Sequence, residues 1–365
     1  MGNVHDTDGD TDEDIDENGA ADTAATAGFD DAAGRRDDGA VTITDVAKAA
    51  GVSIATVSRT FRYPDRVNVR TLDHVRKVAS RLGYHAAMIR PRERGRLAGL
   101  ISLTVNDLGN PVYSQIARAV QRECSRRDFG LMVSETEENP ASERDIIVRA
   151  IPHVDGMILC APRLPDATIR KLAQSRPLAV MNRAVGGVRS LYADDGPAIV
   201  EAVETLRRLG HQQVTYLPGA RRSWQNGLRA NALQAACRRM GLRLRHTSYT
   251  YPVGTESTLA FETFLRRPTS AVIAYNDEVA YSFMTFLAGH GMRVPDDVSV
   301  IGIDDIPMCE VCSPQLSSIA VPRQELAREA ARYVIGQALH SGDDTMAPVT
   351  LRSRFVRRAS MGQAK

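Results

Sequence analysis

Residues 42–61 read TITDVAKAAGVSIATVSRTF, a pattern typical of two short helices joined by a tight turn. Thr42 stands at an N-cap position with Asp45 three residues later, so both side chains can bind the backbone N–H groups where a helix begins. Gly51 ends that helix, because a residue without a Cβ enters the left-handed conformation of such a turn at little cost. Ser53 is placed to cap the next helix. The segment therefore predicts a helix-turn-helix.

The second predicted helix has one face for packing and one for a ligand. Val57 and Phe61 recur at helical spacing and would pack beside the small Ala47, which leaves the opposite stripe exposed. The N-terminal residues of such a helix meet base edges in the major groove, and Arg59 is the side chain there that can bind guanine through two hydrogen bonds. An ordinary amphipathic hairpin is the alternative. The predicted contacts to bases and phosphates in this region are Thr42, Thr44, Ser53, Ile54, Ala55, Thr56, Ser58, Arg59, Arg62 and Arg66.

The net charge of +2 hides two segments of opposite sign. Residues 1–40 hold thirteen Asp and Glu against two Arg, whereas residues 41–96 hold twelve Lys and Arg against four acidic residues. A basic module supplies the salt-dependent part of DNA affinity. The acidic stretch has no hydrophobic period, so it is predicted to be a disordered tail. It either competes with DNA for cations or is simply a solvated extension.

The lack of a targeting signal and the odd number of cysteines predict that the protein lies in a reducing compartment. No basic segment followed by an apolar run opens the chain, and no stretch reaches about 18 apolar residues, so we expect a cytoplasmic protein without a membrane partner. Its five cysteines are an odd number and are expected to be reduced. Cys309 and Cys312 form a C-x-x-C that is either structural or a redox switch. Zinc would need two more ligands nearby in sequence, so neither a metal nor another cofactor is expected.

From residue 97 onward, short apolar runs alternate with helical patterns. This alternation predicts βα units on parallel sheets, and so many strands favour two doubly wound lobes over one sheet. The predicted domains are the tail 1–40, the helix-turn-helix domain 41–87, a hinge 88–96, and a core 97–359. Lobe 1 is predicted at about 97–186 plus 318–328, and lobe 2 at about 187–317 plus 329–359. The runs are LAGLISLTV, GLMVSE, DGMILCAP, PLAVMNR, QQVTYLPG, HTSYTYP, SAVIAYND, VSVIGIDD and LSSIAVP.

Polar and aromatic residues follow several of these runs. Ligands of open parallel sheets bind beyond the carboxyl ends of the strands. Rings, amides, carboxylates and an arginine together suit a sugar, because each hydroxyl both donates and accepts and each apolar sugar face stacks on a ring. The alternative is that these residues merely cap the following helices. The predicted effector-binding residues are Tyr113, Arg183, Trp224, Arg229, Asn276 and Asp304.

Eight motifs give the chain a family resemblance: ITDVAKAAGVSIATVSR, RLGYH, NPVYSQIARAVQ, VDGMIL, RRLGHQQV, AVIAYNDEVA, VPDDVSVIGIDDIP and PQLSSIAVP. From residue 41 to about 356 the chain resembles the lactose-repressor (LacI/GalR) family of transcriptional regulators. The resemblance implies a homodimer on a roughly two-fold symmetric operator and a periplasmic-binding-protein-like core that closes on an effector. It assigns effector contacts to the predicted residues other than Trp224. Gly227 and Ala232 depart from the charged and glycine residues usual in the family.

The hinge departs further from the family pattern. Family members carry a short helix here with a leucine that wedges into the minor groove, whereas this chain has HAAMIRPRERGRLAG at 85–99. Pro91 removes a helical hydrogen bond. Either Met88 or Ile89 is the apolar wedge before a helix stop at Arg90, or no hinge helix forms and the arginines of 90–96 bind phosphates as a flexible strap.

Other classes of protein fit the sequence less well. It has no G-x-S-x-G, no P-loop and no H-E-x-x-H, so no enzyme is predicted. A periplasmic-type sugar receptor would begin with an export signal and would not need an exposed Arg59. We therefore predict a repressor whose homodimer binds operator DNA and whose sugar or sugar-like effector alters lobe closure.

Overall fold

The computed structural model describes residues 41–62, 66–82, 84, 97–340 and 346–365. The chain divides into two compact units, one up to residue 86 and one from residue 87 onward. The predicted tail and the hinge, with Met88 and Ile89, lie outside the described residues. In the part of the chain that is described, no helix is both long and apolar enough to cross a bilayer.

The N-terminal unit consists of three helices, α1 (Ile43–Ala50), α2 (Ile54–Arg62) and α3 (Val69–Leu82). Its core joins buried residues of all three helices, including Ala47 and Val57, with Phe61 partly buried against them. The predicted caps are present: Thr42 and Asp45 form a reciprocal capping box, and Gly51 ends α1 with φ of 64°. The predicted helix-turn-helix is confirmed, because local capping and packing agree in sequence and structure.

The second unit contains two six-stranded sheets, one in each lobe. In the first lobe the strand order is β11-β5-β4-β3-β1-β2, with all strands parallel, and in the second it is β12-β10-β9-β8-β6-β7, with only β12 antiparallel. The strands are β1 (Leu100–Val105), β2 (Gly130–Glu135), β3 (Gly156–Cys160), β4 (Leu178–Met181), β5 (Arg189–Asp194), β6 (Gln213–Leu217), β7 (Arg243–His246), β8 (Ala271–Ala274), β9 (Ser299–Asp304), β10 (Ser317–Ala320), β11 (Val349–Arg352) and β12 (Arg354–Val356).

Helices cover both faces of each sheet, as the alternating pattern predicted. They are α4 (Pro111–Ser125), α5 (Pro140–Ala150), α6 (Asp166–Ala173), α7 (Gly196–Arg208), α8 (Trp224–Met240), α9 (Thr255–Leu265), α10 (Asp277–Gly289), α11 (Met308–Val311) and α12 (Arg323–Ala338). The predicted fold class, a helical reader unit followed by two parallel-sheet lobes, is confirmed.

The sheet memberships correct the predicted lobe boundaries. β5 belongs to the first sheet, β10 to the second, and all of α12 packs on the first lobe against α4, β3 and β4. β5 carries Arg189 and Asp194 at its ends and lacks a long apolar run, so the sequence pattern missed it. One continuous helix keeps its apolar stripe on one lobe, so α12 is not divided at residue 328. The predicted strand HTSYTYP is also wrong, because β7 ends at His246.

The chain passes between the lobes three times within a small region. Asp195 separates β5 from α7, Val321 and Pro322 separate β10 from α12, and Ser353 alone separates β11 from β12. The Ser353 hydroxyl donates to the Asp195 carboxylate at 2.6 Å. The first and third crossovers are therefore tied directly to one another.

Candidate functional site

The N-terminus of α2 presents apolar, small and basic side chains on one exposed face. Ile54 is 48% exposed, and Ala55 and Arg59 are also exposed, whereas Thr60 on the opposite face is buried. The Ser53 hydroxyl accepts the backbone N–H of Thr56 at 3.1 Å and so caps the helix. This end of α2 has the exposure that a base-reading helix requires.

The other predicted DNA-contacting residues differ in how far their side chains are exposed. Thr44 is exposed, while Thr56 and Ser58 are half-buried. The Thr42 hydroxyl already donates to Asp45 at 2.7 Å, so its side chain serves the helix cap. Arg66 is exposed. The side chain of Arg62 and the whole of Met88 and Ile89 lie outside the described residues.

A cavity between the two lobes brings together four of the six predicted effector-binding residues. These four lie at the carboxyl edges of both sheets and on α8, as the strand-end rule predicts. The cavity lining includes Tyr113, Arg229, Asn276 and Asp304, joined by Asn110, Val112, Glu138, Asn182, Gln225, Tyr251, Tyr275, Val321 and Arg323.

Arg229 is the electrostatic centre of this cavity. Its side chain is 3% exposed, and its Nε and Nη2 atoms pair with Asp195 at 2.9 Å and Asp304 at 3.3 Å. Its Nη1 donates to the Tyr275 carbonyl at 2.8 Å. Burial opposes the Arg229 charge, but the two carboxylates outweigh burial and raise its pKa. Burial raises the pKa of Asp304, and Arg229 opposes that shift.

Three tyrosines give the cavity its aromatic surface, and one of them joins the lobes. The Tyr275 ring lies 5.2 Å from the Arg229 guanidinium carbon and 5.9 Å from the Tyr251 ring. Tyr251 comes from the second lobe, and its hydroxyl donates to Asp107 of the first lobe and accepts from Asn110 at 3.3 Å. These bonds hold the cavity closed.

The closed cavity is small. Its volume is about 30 Å³, which is enough for about one water molecule, whereas pockets for small ligands usually measure about 300–1,000 Å³. A sugar-sized ligand therefore requires the lobes to separate or the lining side chains to move.

Arg183 and Trp224 lie outside this lining. The Arg183 guanidinium donates to the carbonyl oxygens of Pro162 and Leu164 at 2.8 and 2.7 Å and pairs with Asp166, so it fixes a loop of the first lobe. The Trp224 ring packs against Tyr192 with a centroid distance of 5.3 Å. Their neighbours in the chain, Asn182 and Gln225, reach the cavity instead.

Sequence reasoning missed several residues of the site. Tyr275 directly precedes the predicted Asn276, so its position at a strand end was a usable signal. Asp195 follows the strand that was not predicted. Glu138 lies in a loop with φ of 58°, and Arg323 follows a crossover, so neither had a local pattern that pointed to the cavity.

The C-x-x-C pair is packed into the second lobe. Cys309 is buried, and its thiol donates to Asp277 at 3.2 Å. Burial raises the pKa of this thiol well above its ordinary value, which disfavours the reactive thiolate. Within the described ranges, no three His, Cys, Asp or Glu side chains are arranged to hold a metal ion.

A helix-turn-helix unit followed by a two-lobed binding core is the architecture of a DNA-binding transcriptional regulator. Residues 42–86 match the family model described as bacterial regulatory proteins, lacI family, and residues 203–361 match a periplasmic binding protein-like domain. The chain therefore combines a DNA-binding domain of the lacI family of bacterial regulatory proteins with a periplasmic binding protein-like core. It is therefore a transcriptional regulator and not an enzyme.

Relatives match over nearly their whole length. The chain is 28% identical to the HTH-type transcriptional repressor CytR of Escherichia coli strain K12 over 325 residues, 86% of this chain and 95% of CytR. It is 29% identical to the ribose operon repressor of Bacillus subtilis strain 168 over 303 residues, 81% of this chain and 91% of that repressor. A LacI family regulator from Arthrobacter sp. FB24, solved with lactose, matches with a TM-score of 0.64 and 27% identity, over 72% of this chain and 98% of the other.

Proposed function

We propose that the chain is a repressor whose homodimer binds a near-palindromic operator and whose interlobe cavity binds a sugar or sugar-like effector. The observation that carries this proposal is the convergence of aromatic rings and hydrogen-bonding groups from both lobes on the cavity beside Arg229. The exposed N-terminal end of α2 supports the DNA-binding half of the proposal.

The chemistry of the lining favours a polyhydroxylated ligand. Tyr113 and Tyr275 supply ring faces for the apolar side of a sugar, and Asp304 supplies an acceptor for its hydroxyls. The Asn276 oxygen caps α10 by accepting the Val279 N–H at 3.0 Å, so Asn276 offers its amide N–H groups as donors. Two relatives support this class, since one is named for the ribose operon and one was solved with lactose. We assign Arg183 and Trp224 to support of neighbouring segments rather than to direct contact.

The effector acts by favouring one lobe arrangement over another. A ligand shifts a conformational equilibrium only by its difference in affinity for the two states. The closed cavity is too small for a sugar, so the bound arrangement differs from this one. Coupling between two such sites is typically about 1–3 kcal/mol.

The test measures sugar binding and operator binding together. The operator is first selected from random DNA, and its affinity for the full chain is followed by fluorescence anisotropy with ribose, lactose and cellobiose. We expect at least one sugar to raise the melting temperature and to change operator affinity about 5- to 150-fold. A protein that binds a sugar but no DNA would instead be a receptor, and one insensitive to every sugar in such a panel would contradict the effector class.

The dimer has a candidate contact on α11. Val311 is 76% exposed and Met308 is 51% exposed, an apolar pair that a second copy would cover. Val311→Asp is expected to weaken self-association at least about tenfold, because it removes apolar burial from both copies and introduces charge. Sedimentation measures this change. Val148→Asp, on α5 of the first lobe, is the control and should leave the oligomer intact; equal sedimentation of both variants and the wild type would place the interface elsewhere.

A further inference from the structure

A second pocket lies beside the interlobe cavity, where the chain crosses between the lobes. This crossover pocket has a volume of about 380 Å³, within the range of small-molecule sites. Its lining includes four arginines, Arg323, Arg328, Arg352 and Arg354. Among the described residues, no ion pair joins any of these four guanidinium groups to a carboxylate.

The acidic residues of the crossover pocket do not balance this charge. Asp304 is paired with Arg229 at 3.3 Å and Asp305 with Arg358 at 2.7 Å. The third, Glu325, is exposed. Two of the three carboxylates are therefore already engaged by cations outside the pocket lining, which leaves the pocket electropositive.

Arg323 shows the imbalance most directly because it is buried. It is 5% exposed, and its Nη atoms donate to the backbone carbonyl oxygen of Asp304 rather than to a carboxylate. Within the described part of the chain its Nε has no hydrogen-bond partner. The Asp304 carboxylate attracts Arg323 but is shared with Arg229, to which it is paired directly. A buried cation with an unsatisfied donor is costly, so an anion beside Arg323 would add to the compensation of its charge and accept from the free Nε–H.

We propose that the crossover pocket binds the phosphate group of a small phosphorylated metabolite. Guanidinium groups bind phosphate oxygens through paired, charge-assisted hydrogen bonds. Several arginines together favour a ligand with two negative charges, such as a phosphate, over a ligand with a single carboxylate. Arg323 is also the first residue of the 16-residue helix α12, which has no side-chain cap, so the helix N-terminus adds a favourable field. This site is additional to the sugar cavity and does not depend on the sugar's identity.

The position of the pocket gives the bound phosphate a role in lobe arrangement. Arg323, Arg328 and Arg352 belong to the first lobe, whereas Arg354 belongs to the second. A phosphate held by arginines of both lobes would favour the arrangement in which they lie close together. Asp304 and Arg323 also line the interlobe cavity, so ligands at the two sites would influence each other's affinity.

Calorimetry with the full-length chain tests the proposal, using ribose 5-phosphate, inorganic phosphate, ribose and gluconate as probes. Arg352→Gln and Arg354→Gln are the test variants, because both side chains are exposed and their loss should not disturb folding. Arg357→Gln is the matched control, since Arg357 is exposed in the same terminal segment but lies outside the pocket lining. We expect each test variant to bind ribose 5-phosphate about tenfold more weakly, with ribose binding and the control unchanged.

Several results would overturn the assignment. Failure of both ribose 5-phosphate and inorganic phosphate to bind, or equal binding of ribose 5-phosphate to the test variants and the wild type, would exclude the crossover pocket. Tighter binding of gluconate would show a carboxylate site instead of a phosphate site. A change in sedimentation of Arg352→Gln without a change in phosphate affinity would assign the arginines to contact between subunits. If inorganic phosphate binds but ribose 5-phosphate does not, and both test variants lose the binding of inorganic phosphate, the pocket is a phosphate site that does not recognise the ribose.

Discussion

Replacing Arg229 with alanine is expected to abolish the effector response and to lower the free energy of unfolding by about 3–5 kcal/mol. The change leaves Asp195 and Asp304 as buried carboxylates without their shared cation. It also removes the hydrogen bond that fixes the Tyr275 carbonyl beside the cavity. Urea denaturation measures the loss of stability, and calorimetric titration with the sugar found in the panel measures the loss of binding.

The pH dependence of the stability lost in Arg229→Ala distinguishes the loss of the ion pairs from the loss of packing. Burial raises the pKa of the Asp304 carboxyl and Arg229 opposes that shift, so without Arg229 the folded-state pKa of Asp304 rises further above that of the unfolded chain. A raised carboxyl pKa lowers stability as pH rises, because the folded state then binds protons that the unfolded state has released. The deficit of Arg229→Ala should therefore be smaller at acidic than at neutral pH. Arg229→Lys keeps the charge and should recover part of the stability; a deficit that is equal at both pH values would mean that packing alone is lost.

Arg59→Ala is expected to weaken specific operator binding by about 1–3 kcal/mol, which is the usual contribution of a bidentate hydrogen-bonded contact to a base. Arg59 is exposed on α2 one turn beyond Ala55, where it can reach a guanine once the N-terminal residues of the helix enter the groove. Anisotropy with the selected operator and with random-sequence DNA measures the change. The preference for the operator should fall, while the non-specific affinity changes little.

Arg76→Ala is the matched control for Arg59. Arg76 is exposed on α3, so its loss removes the same charge without touching the reader helix. It should reduce DNA affinity in a salt-dependent manner and leave the preferred sequence unchanged. An unaltered base preference in a binding selection with Arg59→Ala would remove Arg59 as the base reader.

The reader unit was predictable from sequence because its determinants are local. The caps at Thr42 and Ser53 and the glycine at 51 lie next to the helices that they bound, and Ala47 and Val57 follow helical spacing. Each inference needed only a few neighbouring residues. The structure accordingly reproduces the predicted helices and their packing.

The cavity was only half predictable because it depends on side-chain direction and on distant pairing. Tyr113, Asn276 and Asp304 follow from their places near strand ends, and Arg229 follows from the segment after β6 and from the family resemblance. The structure brings these four residues together. Arg183 occupies a similar place, yet backbone carbonyls of its own lobe bind its guanidinium. No pattern along the chain distinguishes these two outcomes.

Long-range features were the hardest to predict. Tyr251 and Asp107 are far apart in sequence and belong to different lobes, so their hydrogen bond depends on how the lobes are arranged. The short strand β5 carries polar residues at both ends, so the crossover at Asp195 was misplaced. The ion pair between Asp195 and Arg229 was missed with it.

The three crossovers form a hinge beside the cavity, about which the two lobes of the core can rotate. Lobes joined at one small region can rotate about it but cannot slide apart, so a slight rotation there becomes a large displacement at the far ends. Ser353 and Asp195 form part of this hinge, and Asp195 also binds Arg229. Any ligand that competes for Arg229 therefore acts beside the crossovers, where a small rotation produces the largest displacement at the far ends of the lobes.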